Sequence, residues 1–430
     1  VGASNGNQMQ PTNISYKYII AAACFGTQAI GVGLFISYGV FINPLIEEFG
    51  WPRAAISGAS SLSFFLMGLL GIFVGRLNDK IGPRKVMLVT SCFIGLGFFL
   101  TSKTQSIWQL YLFYGILFGI GMSSIDVIAL STTARWFVKR RGIVTGLVKV
   151  GTGAGQLVVP LTASLLITGF GWRTSFVIIG ICGMILLILI SRLLRRDPEE
   201  MRLYSKENTS SKIDPKVFKD IDLSFGQAIR THQFWLIFIV NFALVYCLLI
   251  VMVHIVPFAR DLGVSTTKAA GVLSTIGGVS MLGRFATGLF IDRFNSRLAM
   301  IFCFVLLIFT LLWLQIADKL WMIYLFAACY GIAHGGFFTA ISPIVAEYFG
   351  IGAHGVLFGA IVFSGCFGGS VGPILAGHIF DVTGSYSPAF WLSTFIALLG
   401  LGFILLLKPI RKCGNVQIQP SDGIDCKIAK

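Results

Sequence analysis

The chain has 430 residues, of which 55% are hydrophobic and only 12% are charged. Soluble domains usually carry about 25% charged residues, so this composition excludes a soluble globular protein and indicates a membrane protein. The formal net charge of +15 does not indicate a nucleic-acid partner, because most of the 33 Lys and Arg residues fall on one side of the predicted topology. The positive-inside rule assigns that side to the cytoplasm.

Apolar segments long enough to cross a hydrocarbon core of about 30 Å recur twelve times. An even number of spans places both termini on the same side, and the basic residues predict that this side is the cytoplasm. We therefore expect a multi-pass plasma (inner) membrane protein with both termini cytoplasmic. The charged, aromatic-poor segment 194–231 is predicted to be a cytoplasmic linker between an N-terminal bundle, 1–193, and a C-terminal bundle, 232–408, with 409–430 as a cytoplasmic tail. The predicted spans are 17–44, 54–75, 84–103, 107–133, 141–168, 172–193, 232–258, 268–290, 297–316, 320–346, 353–379 and 385–408.

The two halves of the chain repeat each other at a constant offset of 213 residues. Residues 75–84 recur in weaker form as residues 288–297, which indicates two half-proteins of equal length and direction. The predicted fold is therefore an all-α membrane protein with twelve transmembrane helices in two parallel-repeat six-helix bundles. The same offset relates Pro44 to Pro257, Gly50 to Gly263, Trp108 to Trp321, Tyr111 to Tyr324, Gly142 to Gly355 and Pro160 to Pro373.

The repeated segment also carries a motif. Residues 75–85 read Gly-Arg-Leu-Asn-Asp-Lys-Ile-Gly-Pro-Arg-Lys, and they resemble the signature loop of the major facilitator superfamily. Asp79 is placed to accept hydrogen bonds from a basic group such as Arg84 or from the N-terminus of a neighbouring helix, and glycines allow close packing. We expect these residues to form a gate rather than a binding site. The predicted gating residues are Asp79, Arg84, Asp292, Gly75 and Gly288.

Two further stretches narrow the resemblance. Residues 135–155 resemble the entry to span five of the monocarboxylate transporters and the related oxalate:formate antiporters, and residues 231–235 are similar to the latter group's entry to span seven. The resemblance implies a secondary transporter that works by alternating access, with a small organic acid as its substrate.

Arg284 is the clearest candidate for binding that substrate. A charge inside a span costs at least ~3 kcal/mol, and the planar guanidinium matches a carboxylate bidentately. In the resembling families an arginine of span eight binds the substrate carboxylate, and Arg284 stands at the matching position; a structural ion pair with another span is the alternative. Polar groups near mid-membrane complete the predicted substrate-binding set. These are His254, Tyr114, Tyr330, Ser280 and Ser364.

Four residues are candidates for proton coupling. Asp126 and Lys149 lie at similar depth, so they form either a structural buried pair or a route for a proton or an anion. Histidine changes charge near physiological pH, so His254 and His334 are candidates as well, although an intramembrane histidine is often only a packing residue.

These observations predict proton-coupled symport of a small monocarboxylate such as lactate or pyruvate. Animal monocarboxylate transporters carry an aspartate four residues before the span-eight arginine and a lysine late in span one. This chain has Ser280 at the first position and no lysine in span one after Lys17, so the proton-coupling residues of those relatives are not present as such. Oxalate antiporters hold a second carboxylate with a base in span eleven, and span eleven here contains no Lys or Arg. Within the resemblance, this difference favours a substrate with one carboxylate. The alternatives are an organic-anion exchanger without proton coupling and a non-transporting receptor. The expected partners are the monocarboxylate, protons and membrane lipid, with no nucleic acid; no enzyme activity, cofactor or metal site is expected.

Overall fold

The structure is a computed structural model that describes residues 12–138, 140–197 and 222–408, and it is helical throughout its membrane-crossing part. Three helices open the chain, followed by a fourth span that is interrupted twice. Within it, residues Tyr111–Phe118 form a π-helix, and a two-residue break at Ser123 and Ser124 precedes the last segment. The first helices are α1 (Thr12–Phe49), α2 (Arg53–Ile81), α3 (Pro83–Thr101) and the composite α4 (Ile107–Leu110, Tyr111–Phe118, Gly119–Met122 and Ile125–Trp136).

The next helix, Arg141–Leu193, has 53 residues, which is about 80 Å and too long for one bilayer crossing. It turns back at Gly171, whose φ of 75° lies in the left-handed region that favours glycine. We treat its two arms as α5 (141–170) and α6 (172–193). After a short surface helix, Phe225–Ala228, the second half contains α7 (His232–Asp261), α8 (Thr266–Arg293), α9 (Ser296–Gln315), α10 (Leu320–Phe349), α11 (His354–Thr383) and α12 (Ser387–Leu406).

Eleven helices in the described ranges are long and apolar enough to cross a membrane, and the kink at Gly171 divides one of them into two spans. The twelve crossings confirm the predicted fold class. Each predicted span falls on a helix, although α1 and α7 extend beyond the predicted 17–44 and 232–258.

The repeat is also visible in three-dimensional contacts. Within each half, a glycine of the fifth helix packs on a carbonyl of the first: a Cβ on Gly155 would collide with the Ala29 carbonyl, and one on Gly368 would collide with the Phe242 carbonyl. Both pairs are related by the offset of 213 residues. Glycine is required at these positions because the helix backbones touch.

The two halves meet along two seams. The α2–α11 seam and the α5–α8 seam each join one helix of the first half to one helix of the second. We call the end of the molecule that holds the α2–α3 and α8–α9 connections the basic face. Both seams are closed towards this face. Further from this face along α8, a Cβ on Gly277 or Gly278 would meet nothing within 4 Å.

Candidate functional site

Asp79 closes the α2–α11 seam at the basic face. Its Oδ1 accepts hydrogen bonds from the Arg135 guanidinium at 2.5 Å and from the Gly355 backbone N–H at 3.1 Å. Its Oδ2 accepts from the Val356 backbone N–H at 3.0 Å. Because Gly355 and Val356 open α11, the carboxylate lies where the unpaired N–H groups and the helix dipole favour a negative charge.

Asp292 does the same in the α5–α8 seam. It accepts hydrogen bonds from the backbone N–H groups of Gly142, at 2.6 Å, and Ile143, at 3.0 Å, which open α5. These are the positions that the 213-residue offset predicts from Gly355 and Val356. Each half therefore supplies one carboxylate to cap one helix of the other half.

The basic partner of Asp79 differs from the suggestion made from the sequence. Arg84 is exposed on α3, whereas Arg135, near the end of α4, is buried and reaches the carboxylate. We expected Arg84 because it is close to Asp79 in the sequence, and this expectation was wrong. The packing of α4 against α2 brings Arg135 to the carboxylate instead. The helix N-terminus, the other suggested partner, is present.

Glycines let the seam helices approach backbone to backbone. A Cβ on Gly75 would collide with the carbonyl of Gly355, and a Cβ on Gly288 would lie 2.6 Å from the carbonyl of Gly142. Both predicted gating glycines therefore lie in the contact between the halves. One turn deeper, Gly359 packs against the carbonyl of Gly71.

Asp126 and Lys149 form an ion pair between α4 and α5, with Nζ of Lys149 2.6 Å from Oδ1 of Asp126. The Lys149 side chain is buried, whereas that of Asp126 is 25% exposed. Gln28 of α1 donates to the same carboxylate oxygen at 2.7 Å, and its own carbonyl oxygen accepts from the Thr152 hydroxyl at 2.9 Å. Lys149 Nζ also lies 5.8 Å from the centre of the Phe338 ring, on α10 of the other half. The pair is therefore fixed within the first half but faces the second.

Arg284 lies on α8 at the level of this pair and is 1% exposed. None of the ion pairs in the described part of the chain includes it. Its Nε and Nη1 atoms are buried without a hydrogen-bond partner. Its Nη1 is 3.1 Å from where a Cβ on Gly153 of α5 would lie, so the guanidinium reaches across the seam to the first half.

The buried charges near Arg284 do not balance. Lys149 and Arg284 are cations, and among the described residues Asp126 is the acidic group that interacts electrostatically with both. An ionised group away from water is stable only when it is paired and hydrogen-bonded. The cluster therefore carries one uncompensated positive charge, and unused guanidinium donors that suit one small anion.

His334 lies on α10 next to this cluster and is 7% exposed. Its ring is between Tyr330 and Phe338, with centroid distances of 6.0 and 5.2 Å, and these three residues share one face of the helix. The ring atom Nδ1 is buried without a hydrogen-bond partner. The next residue, Gly335, packs against α8, where a Cβ on Gly335 would lie 2.9 Å from the backbone N of Arg284.

The two tyrosines predicted to bind substrate have their hydroxyl groups already engaged. Tyr114 donates to the Phe35 carbonyl at 3.2 Å, and Tyr330 donates to the Leu248 carbonyl at 2.8 Å. Each hydroxyl joins two helices within one half, so it offers no free donor. The Tyr330 ring still contributes an apolar wall beside His334.

The two predicted serines also have local partners. Ser280 donates to the Gly277 carbonyl at 2.8 Å and lies one turn from Arg284. Ser364 donates to the Ile361 carbonyl at 2.8 Å and accepts from Asn241 at 3.4 Å, in the α7–α11 contact. Asn241, which the sequence reasoning missed, is related to Gln28 by the 213-residue offset, and comparing the two halves for matched amides would have found it.

The structure does not bring His254 to the Arg284 cluster. His254 lies roughly 33 Å along α7 from the basic face, whereas Arg284 lies roughly 14 Å from that face along α8. Its Nε2 is 2.9 Å from the Pro373 carbonyl oxygen, and its ring lies 5.2 Å from that of Tyr386. The predicted spans 232–258 and 268–290 already place the two residues at different depths, so counting residues from the span ends would have separated them.

In the described residues, no group of three or more His, Cys, Asp or Glu side chains is arranged to hold a metal ion. The polar cluster instead combines two cations, one carboxylate and one histidine between two halves that close on each other at one face. A twelve-span helical protein with this arrangement belongs to the class of membrane transporters with two repeated bundles.

Comparison with known proteins identifies the family. The model of the Major Facilitator Superfamily matches residues 22–312 and 279–420, so the chain belongs to this superfamily, and it is a transporter of that group. It is 26% identical to monocarboxylate transporter 11 of Homo sapiens, over 94% of this chain and 86% of the relative. It is 24% identical to monocarboxylate transporter 13 of Rattus norvegicus, over 95% of this chain and 92% of the relative. The solved structure of the human organic anion transporter MFSD10 shares the fold, with a TM-score of 0.69, 14% identity, and coverage of 92% of this chain and all of that one.

Proposed function

We propose that this protein is a secondary active transporter of a small monocarboxylate, of the lactate or pyruvate type, and that Arg284 binds the carboxylate. The observation that carries the proposal is the Arg284 guanidinium, which is 1% exposed, has Nε and Nη1 unpaired and is not in an ion pair of the described residues. A carboxylate supplies both the missing charge and the missing acceptors. The similarity to monocarboxylate transporters over nearly the whole chain supports this substrate class.

The size of the charge imbalance favours one carboxylate over two. Asp126 already neutralises Lys149, so one anionic group is sufficient to compensate Arg284. As long as Asp126 is ionised, a dicarboxylate would bring a second negative charge next to it, and like charges in a desolvated site repel strongly.

The two seams support alternating access. In this structure the Asp79 and Asp292 caps and the glycine contacts close the basic face, and Arg284 lies on the far side of these contacts along α8. Release at the basic face requires both caps to break while the bundles rock about the site. In the proposed topology the basic face is cytoplasmic, the protein lies in the plasma membrane, both termini and the linker 194–231 are cytoplasmic, and the gating residues are Asp79, Asp292, Gly75 and Gly288.

We assign the coupled proton to the Asp126–Lys149 pair. Protonating Asp126 would free Lys149 from its partner and leave the site with two unneutralised cations, which raises its affinity for the anion. The proton and the anion would then move together, because each favours binding of the other. His254 lies too far along α7 to take this role.

Uptake by the purified protein in proteoliposomes tests the function. Radiolabelled pyruvate should accumulate under an inward proton gradient without internal substrate, relative to protein-free liposomes. Uptake that appears only after preloading with lactate would instead establish the exchanger. Pyruvate binding in detergent without any flux would establish a receptor. Either the exchange-only result or the binding-only result would contradict proton-coupled symport.

A further inference from the structure

We propose that His334 is a second substrate-contacting residue, which binds the oxygen on the carbon next to the carboxylate and thereby selects 2-oxo and 2-hydroxy acids over unsubstituted acids of the same length. This inference rests on the proposed function, since it takes Arg284 as the carboxylate anchor. It adds to that function the residue that determines specificity.

The first argument is the orientation of α10. Phe338 lies one turn from His334 on the same helix face, and its ring lies 5.8 Å from Nζ of Lys149 in the other half. This face of α10 is therefore turned towards the first half and the space between the bundles, and His334 lies on it.

The second argument is the free polar atom. Nδ1 of His334 is buried without a partner in a side chain that is 7% exposed, and buried polar atoms are nearly always hydrogen-bonded. Arg284 lies close enough to His334 to interact with it electrostatically, and Arg284 also has buried unpaired donors. Two unpaired polar groups of different kinds next to each other are suited to one ligand with two different polar groups.

The chemistry of the imidazole selects the second group. A neutral histidine donates a hydrogen bond from one ring nitrogen and accepts one at the other. Depending on the tautomer, Nδ1 can therefore donate to a 2-oxo oxygen or accept from a 2-hydroxyl group. A guanidinium has donors only, and therefore binds the carboxylate. The Tyr330 and Phe338 rings on either side of His334 enclose a short carbon chain.

The third argument is the repeat. The position that matches His334 in the first half is Gly121, and the position that matches Arg284 is Gly71. Both positions therefore differ in residue type between the halves, whereas the gating positions Asp79/Asp292 and Gly75/Gly288 are identical. This is the pattern expected for groups that serve the substrate.

The experiment compares the uptake of pyruvate, lactate and propionate, which have the same number of carbons, in proteoliposomes. The wild-type protein should transport pyruvate and lactate with a kcat/KM about tenfold above that of propionate, because one additional hydrogen bond is made. His334→Leu should reduce this preference to near unity while propionate uptake is retained. His334→Asn, which can donate and accept but does not titrate, should retain most of the preference.

Propionate uptake by His334→Leu shows that the variant is folded, so loss of the preference is attributable to the missing hydrogen bond. If His334→Leu keeps the wild-type preference, or if the wild-type protein shows none, the assignment of His334 is overturned and the proposed function stands. If His334→Asn loses proton-driven uptake of all three acids, His334 carries the proton instead, and the specificity role is likewise overturned. If the wild-type protein transports none of the acids, the proposed function fails and this inference fails with it.

Discussion

The α2–α11 and α5–α8 seams have the same construction at the basic face and different chemistry one turn deeper. In both, a carboxylate caps the first N–H groups of the facing helix, and a pair of glycines brings the backbones together. One turn deeper, the α2–α11 seam pairs Gly71 with Gly359, whereas the α5–α8 seam pairs Arg284 with Gly146.

This difference places the candidate anion site within a contact between the two halves. The Arg284 backbone carbonyl packs on Gly146, and its guanidinium extends towards Gly153 on the same helix of the other half. An anion held by this side chain therefore acts directly on the α5–α8 seam. In the α2–α11 seam the position that matches Arg284 is Gly71, which has no side chain to bind an anion.

The largest effect should come from breaking the Asp126–Lys149 pair, whose matched positions in the second half are Thr339 and Val362. Asp126→Asn leaves Lys149, whose side chain is 5% exposed, without its anionic partner and should destabilise the protein by about 3 kcal/mol or more. Lys149→Met should cost less, because Asp126 is 25% exposed and retains Arg284 as a nearby cation. The double variant removes both charges and should recover most of that loss. Thermal unfolding in detergent measures these differences.

Thr339→Val is the matched control. Thr339 makes hydrogen bonds only to the carbonyls of Gly335 and Arg284, so its loss should cost about 1 kcal/mol. If the destabilisation of the Asp126→Asn/Lys149→Met double variant equals the sum of the two single effects, the two side chains are not coupled in the way the ion pair requires.

A smaller effect is expected at the gate, where the two seams differ in one contact. Asp79 binds Arg135 as well as two N–H groups, whereas Asp292 binds two N–H groups. Asp79→Asn leaves a buried guanidinium unpaired and should cost the closed state about 3 kcal/mol, against about 1–2 kcal/mol for Asp292→Asn.

Opening of the basic face can be measured by electron–electron resonance between spin labels at Lys85 and Leu298, exposed positions that the repeat relates, in a cysteine-free background. Asp79→Asn should shift the distance distribution towards longer values more than Asp292→Asn does. Equal shifts would show that Arg135 adds nothing to the closure of its seam.

The smallest effect concerns two glycines in contact. A Cβ on Gly359 would collide with the Gly71 carbonyl, whereas a Cβ on Gly71 has its nearest neighbour at 3.6 Å. Gly359→Ala should therefore destabilise the closed state by about 1–3 kcal/mol, and Gly71→Ala should be neutral or slightly stabilising. The same spin-label pair reports both, and a shift with Gly71→Ala as large as that with Gly359→Ala would contradict this packing.

The sequence predicted the scaffold well because repetition and apolar length are properties of the chain itself. The twelve crossings followed from the lengths of the apolar segments, and a helix N-terminus was one of the two partners expected for Asp79. Contacts between helices were harder to predict. Hydropathy does not encode helix rotation. The choice of Arg135 over Arg84 and the engaged hydroxyl groups of Tyr114 and Tyr330 depend on that rotation.

The most direct test of the central claim is pyruvate uptake by Arg284→Lys in proteoliposomes, with Arg260→Lys, an exposed arginine of the same half, as the control. Lysine keeps the charge but lacks the planar fork of donors, so Arg284→Lys should lower kcat/KM by roughly 10- to 100-fold. Arg260→Lys should leave it unchanged. Uptake by Arg284→Lys at the wild-type rate would contradict the assignment of Arg284 as the carboxylate anchor.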